Sequence, residues 1–230
     1  MTPPDFLLTG FRSFTQDGDG RPLPNPTDLL LRMICDGPVR VAGAPTGLWL
    51  GRAQLAGLRC LLAVADVNYQ APSHIVELIR AARPRAVVCL GLGGETVIET
   101  GATNRVKKDR PTYDRHGLPL PGEYPASTVL DPAFPEGAGI TLPWGDQNLA
   151  RLREVAARWG DSSPLGPVTV APSARPGNDY VCNATAWAVA RAKSTNAGFL
   201  HVAPPSVPSD GYFLAAANLL VDVVRAIRPE

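Results

Sequence analysis

The chain has no surplus of either charge. Its 22 Lys and Arg stand against 21 Asp and Glu, a formal net charge of +1, and the arginines are scattered. Such a balance offers no electrostatic footprint for nucleic acid or a membrane surface, and neither is expected as a partner. No stretch approaches ~18 uncharged apolar residues, so the sequence contains no candidate membrane-spanning helix. The segment from Met1 to Asp5 lacks the basic residues and long apolar run of a signal peptide. A cytoplasmic location is therefore expected. Cysteines are few, at Cys35, Cys60, Cys89 and Cys182, with no CxxC pair and no metal-ligand spacing. In a reducing compartment they are expected as free thiols. Neither an internal repeat nor a linker divides the chain.

What is present fits a globular protein. The length of 230 residues suits a single domain spanning 1–230, and 45% hydrophobic and 19% charged residues are ordinary proportions. With 24 prolines and 22 glycines, long structured loops are expected. Phe6 to Phe11 reads as a strand running into a glycine turn. A polar loop follows, with a turn at Asp17-Gly18-Asp19-Gly20. Pro26-Thr27-Asp28 opens a helix through Met33. Leu58 to Val67 is strand-like. Ser73 is expected to cap a helix whose inner face holds Ile75, Val76, Leu78 and Ile79, ending before Pro84. Ala86 to Leu90 is a continuous apolar run that suits a strand buried on both faces.

Gly91-Leu92-Gly93-Gly94 reads as the turn after that strand. It fails the dinucleotide fingerprint, which needs a third glycine and a helix opening behind it. Residues 95–139 carry no periodicity that assigns regular structure. Helical spacing returns between Trp144 and Trp159. Val168 to Val170 is strand-like, Val181 to Ala192 helical, Gly198 to Val202 strand-like, and Gly211 to Ile227 a closing helix. Strands alternating with helices predict an α/β fold: a three-layer α/β/α sandwich around a mostly parallel mixed sheet. Sites on such sheets gather at the carboxyl ends of strands.

Two residues stand where chemistry can use them. Cys182, in Asp179-Tyr180-Val181-Cys182-Asn183, lies at a helix start, where the dipole and a neighbouring imidazolium favour a thiolate. His201, in Gly198-Phe199-Leu200-His201-Val202, lies near a strand end. The loop Arg175–Asp179 can offer backbone N–H groups to an oxyanion. His74 falls inside a helix and His116 in the unassigned stretch. The remaining cysteines lie in apolar segments, as buried inert thiols do.

These segments resemble the pyroglutamyl peptidase I family, also called pyrrolidone-carboxylate peptidases. Thr9-Gly10-Phe11-Arg12-Ser13-Phe14 is similar to that family's opening Thr-Gly-Phe-x-Pro-Phe, and Asn25-Pro26-Thr27 to its Asn-Pro-Ser. Tyr180-Val181-Cys182-Asn183 resembles its nucleophile segment, and Gly198 to Val202 its histidine segment. Thr141-Leu142-Pro143 matches its Thr-Leu-Pro. The resemblance runs in the same order along nearly the whole chain. It implies a cysteine exopeptidase that releases an N-terminal pyroglutamyl group from peptides, with Cys182 as nucleophile and His201 as general base and acid. Phe11, Phe14, Tyr180 and Val181 match positions that enclose the lactam ring. No metal or cofactor is implied. Homo-oligomers fit the family, whose members are often tetramers.

The third catalytic residue of the family is a glutamate soon after the glycine turn. Aligned with a shortened turn it is Glu99; Glu95 is a second candidate, and an ungapped alignment lands on Gly101. The chain departs from the family pattern elsewhere too. The loop after Phe14 lacks two glycines, Leu92 replaces a glutamine, and Arg175 and Pro176 replace small residues. These departures leave open a catalytically impaired homologue that binds a ligand in the same cleft, or an amidase for a related acyl group.

Overall fold

The computed structural model describes residues 2–15, 22–107, 111–120, 127–172, 179–193, 196–205 and 209–227. In chain order they form β1 (Phe6–Phe11), β2 (Phe14–Thr15), β3 (Pro22–Leu23), α1 (Pro26–Met33), β4 (Gly37–Pro38), β5 (Trp49–Leu55) and β6 (Leu58–Ala65). Next come α2 (Ala71–Ala82), β7 (Ala86–Leu92), β8 (Thr96–Glu99), β9 (Gly101–Thr103), β10 (Thr112–Tyr113), β11 (Pro119–Leu120) and β12 (Gly139–Thr141). Then follow α3 (Asp146–Ala157), β13 (Val168–Ala171), α4 (Val181–Ala192), β14 (Ala197–Val202) and α5 (Asp210–Ala226).

An eight-stranded sheet in the order β13-β8-β14-β7-β1-β6-β5-β4 forms the middle layer. Its centre is parallel: β1 pairs with β6 and β7, and β7 with β14. The direction reverses between β14 and β8, and again between β6 and β5. α2 packs with α4, while α5 packs with α1 and α3. These two groups cover opposite faces and complete an α/β/α sandwich. Phe6, Leu7, Leu8, Val87, Val88, Cys89 and Leu90 have no exposed surface. Continuous apolar runs occur in β1 and β7 because both faces of the central strands are covered.

α1 forms where its cap chemistry places it. The Asn25 side chain accepts from the Thr27 N–H, Pro26 fills the first turn, and Asp28 pairs with Arg32 one turn on at 2.6 Å. The Thr27 hydroxyl then accepts from the Phe11 N–H at 3.1 Å, which ties α1 to the carboxyl end of β1.

Several expectations need correction. α2 starts at Ala71, ahead of Ser73, because the Asn68 side chain accepts from the N–H groups of Gln70 and Ala71 and sets the turn. Gly91 and Leu92 still belong to β7, so the turn begins at Gly93. Within residues 95–139 lie β8 to β11 and the start of β12, all short. β5 carried no expectation, yet it forms a hairpin with β6 through Ala56 and Gly57, both at positive φ, the twist that suits a two-residue hairpin turn. Cys60 and Cys89 are buried, but Cys35 is only half-buried. The Asp17–Gly20 turn lies outside the described residues. No helix among those described is long and apolar enough to cross a membrane.

Candidate active site

Strand register sets the site. In β14, Phe199 stands opposite Glu99 of β8, and His201 opposite Gly91 of β7. Side chains two apart on a strand share a face, so Phe199 and His201 point to the same side as Glu99 and Gly91. Glu99 reaches diagonally to His201, and its Oε1 lies 2.9 Å from His201 Nδ1. Both side chains are buried. Beside a carboxylate, Nδ1 carries the proton and donates, which leaves Nε2 for the other side of the ring. The Phe199 ring, 4.8 Å from the imidazole between centroids, backs it.

Cys182 reaches this face from α4. A Cβ placed on Gly91 would lie 2.8 Å from Cys182 Sγ and 2.7 Å from the Phe199 ring. Glycine at 91 therefore leaves the space that the sulfur fills, beside the residue that faces His201 across the ladder. Gly93 plays a similar part, since a Cβ there would meet His201 Cβ and Cγ at 3.0 Å. Both glycines fell within the sequence-predicted turn. Their role follows from close approach by side chains, which no single-sequence pattern exposes.

The electrostatics centre on His201. Burial acts against its imidazolium, but hydrogen bonds to Cys182 and Glu99 outweigh that, and its pKa is pushed up to about 10. By contrast, burial first and the neighbouring Cys182 second drive the Cys89 thiol up to about 12 against a hydrogen bond with Thr9. Cys89 thus stays an inert thiol beneath the site. Cys182 is half-buried. The Tyr180 side chain does not cap α4, whose first-turn N–H groups stand at a helix N-terminus. The loop Arg175–Asn178, expected to offer further N–H groups, lies outside the described residues.

Asn183, next to the nucleophile candidate, anchors the helix start. Its side chain accepts from the Thr103 N–H at 2.9 Å and donates to the carbonyls of Thr103 and Arg105 at 2.8 and 3.0 Å. The segment just past Glu99 is thereby fastened to the residue just past Cys182.

The four expected wall residues divide. Phe11 and Val181 are buried at the carboxyl end of β1 and the start of α4. Phe14 is half-buried, its ring 5.0 Å from that of Tyr113. Tyr180 is half-buried, donates to the Pro111 carbonyl, and meets Tyr69 edge-on at 5.9 Å. Tyr69 and Tyr113 went unread as site residues. The position of Tyr69 just beyond the carboxyl end of β6 was the available signal. An ion pair at 2.7 Å between Arg12 and Asp66 holds the chain after Phe11 to the end of β6. Glu95 is exposed, His74 half-buried on α2, and His116 exposed beside Arg115. Among the described residues no group of three or more His, Cys, Asp or Glu side chains could hold a metal ion.

No protein-family model matches the chain, and no curated protein matches it. Solved structures do. The pyrrolidone carboxyl peptidase of Thermococcus litoralis matches with a TM-score of 0.63 and 16% identity, over 97% of this chain and 92% of that one. The pyroglutamyl peptidase I of Bacillus amyloliquefaciens matches at 0.61 and 18% identity, over 98% and 97%. This chain has the pyrrolidone carboxyl peptidase fold. A further structure with that fold, from Thermus thermophilus, matches at 0.58 and 23% identity, over 95% and 98%. The pyrrolidone carboxyl peptidase fold thus extends end to end, with no large part of either chain left over.

Proposed function

We propose that the chain is a cysteine exopeptidase that removes an N-terminal pyroglutamyl group from peptides. One observation carries this reading: a half-buried thiol at a helix start shares a space with a histidine whose far nitrogen is held by a buried glutamate 2.9 Å away. The fold shared with pyrrolidone carboxyl peptidases supports the substrate class.

In the proposed mechanism Cys182 Sγ attacks the carbonyl carbon of the pyroglutamyl residue. His201, protonated below about pH 10, holds on Nε2 the proton drawn from the thiol, while Glu99 accepts from Nδ1–H and stabilises the imidazolium. The developing oxyanion faces the N–H groups at the start of α4, where the helix dipole favours negative charge. Collapse of the tetrahedral intermediate breaks the C–N bond, and His201 protonates the departing amine. Water, deprotonated by His201, then hydrolyses the thioester and restores the thiol. Phe11, Phe14, Tyr180 and Val181 suit a flat neutral ring, since aromatic and aliphatic walls cost it no buried charge. The one-chain site needs no metal or cofactor in this scheme.

Hydrolysis of a fluorogenic pyroglutamyl amide by wild type and Cys182→Ala tests the proposal. Turnover lost in Cys182→Ala is expected. Equal, background-level hydrolysis by both would defeat it and favour a cleft that only binds.

A further inference from the structure

We infer that Trp144 is a positioning residue for this acyl transfer: its indole N–H, pressed against Gly198, fixes the Glu99 backbone and thereby the orientation of His201. The inference rests on the proposed function for its catalytic meaning, and its geometry stands independently.

Trp144 is fully buried, and its Nε1–H donates to the Glu99 carbonyl at 2.6 Å. The ring lies against bare backbone of β14. A Cβ on Gly198 would fall 1.9 Å from Trp144 Cε2 and 2.0 Å from Cζ2, so no side chain fits there. Gly198 precedes Phe199, the residue opposite Glu99, and alternation places the indole on the sheet face away from His201.

Neighbouring backbone bonds stitch the same seam. Leu142 N–H donates to the Thr100 carbonyl at 2.9 Å, and Ala197 N–H to the Pro143 carbonyl at 3.1 Å. Residues 142–144 therefore fasten the end of β8 to the beginning of β14. Glu99 is the last residue of β8 and the last in its ladder with β14. A strand end frays unless something holds it. On one side Ala171 of β13 pairs with Glu99 and accepts from the Thr100 N–H at 3.0 Å; the buried indole N–H adds a hold at the Glu99 carbonyl, because leaving it unpaired would cost its desolvation. Glu99 is thus gripped on both faces of the sheet, by Trp144 at its carbonyl and by His201 at its carboxylate.

Trp144→Phe removes the N–H and keeps an aromatic ring. A second replacement, benzothienylalanine at position 144, keeps the bicyclic shape and loses only the donor, so it guards against a folding failure. The decisive readout is the His201 titration midpoint by NMR of ¹³C-histidine-labelled protein, with the resonance assigned by its absence in His201→Gln. In both replacements the midpoint should fall by about one unit or more, a tenfold loss of proton affinity. kcat should drop about tenfold with KM changed less than about twofold. Leu152→Ala, a buried change on α3, should lower thermal stability without moving His201. A midpoint within about 0.2 unit of wild type in both Trp144 replacements would overturn the inference. If wild type hydrolyses no pyroglutamyl amide, the proposed reaction falls, while the titration still decides the role of Trp144.

Discussion

Adding one methyl group at Gly91 should disable the site, and the geometry says how. The new Cβ would stand 2.8 Å from Cys182 Sγ and 2.7 and 2.8 Å from two atoms of the Phe199 ring. Ordinary van der Waals contact begins near ~3.5 Å, so each approach is short by about 0.7 Å. Phe199 is fully buried and cannot swing aside freely. Overpacking of this kind costs about 1–3 kcal/mol. The sulfur has more room to yield, being half-buried, but a displacement near 1 Å at a reacting atom costs about 10²-fold in rate. The two consequences separate in a second background. Phe199→Leu removes the ring clash and keeps the sulfur clash. Gly91→Ala should therefore destabilise less in that background, by about 1 kcal/mol or more of coupling, while its loss of kcat/KM persists. Denaturant unfolding and fluorogenic hydrolysis of all four proteins supply the numbers. Gly91→Ala with wild-type kcat/KM and wild-type stability would refute the close approach of sulfur and strand.

Glu99→Gln should lower kcat/KM about 10²-fold, since the amide holds the ring without stabilising the imidazolium; Glu95→Gln should stay within about twofold. The folded midpoint of His201, about 10, lies above the ordinary 6.5, so its stabilising contribution is full below pH 6.5 and is lost as pH rises through about 10. Replacing His201 by Gln should accordingly cost more stability at pH 6 than at pH 9.5, as urea titrations at the two pH values will measure. Asn183→Ala removes the side-chain partner of the Thr103 N–H and of the Thr103 and Arg105 carbonyls, of which the Thr103 carbonyl keeps the Arg105 N–H at 2.8 Å, and should cost about 2–4 kcal/mol of stability in chemical unfolding.

Local chemistry made part of this molecule legible in its sequence. The apolar runs of β1 and β7 announce buried parallel strands, and the Asn25-Pro26-Thr27 cap announces α1. Cys182 and His201 stand out as candidates in the sequence because each sits in a short segment with its own local signal. β5 escaped because its inward positions, Gly51 and Ala53 among them, are too small for their alternation to register. β8 and β9 escaped because they are four and three residues long, stabilised by neighbours distant in sequence. Glu99 could be ranked above Glu95 only through alignment. Its distinction is spatial: β8 buries it diagonally from His201, while Glu95 stays exposed. Trp144 and Gly198 match each other across 54 residues, and neither is unusual alone.

The central claim is that Cys182 carries the pyroglutamyl group during turnover. The direct measurement is intact and peptide-level mass spectrometry of enzyme acid-quenched during turnover of an activated pyroglutamyl ester. The account predicts a mass gain of one pyroglutamyl acyl group, mapped to the peptide containing Cys182 and absent from Cys182→Ala. Turnover without that adduct in Cys182→Ala at the wild-type rate, or acylation at Cys35, Cys60 or Cys89 instead, would contradict it.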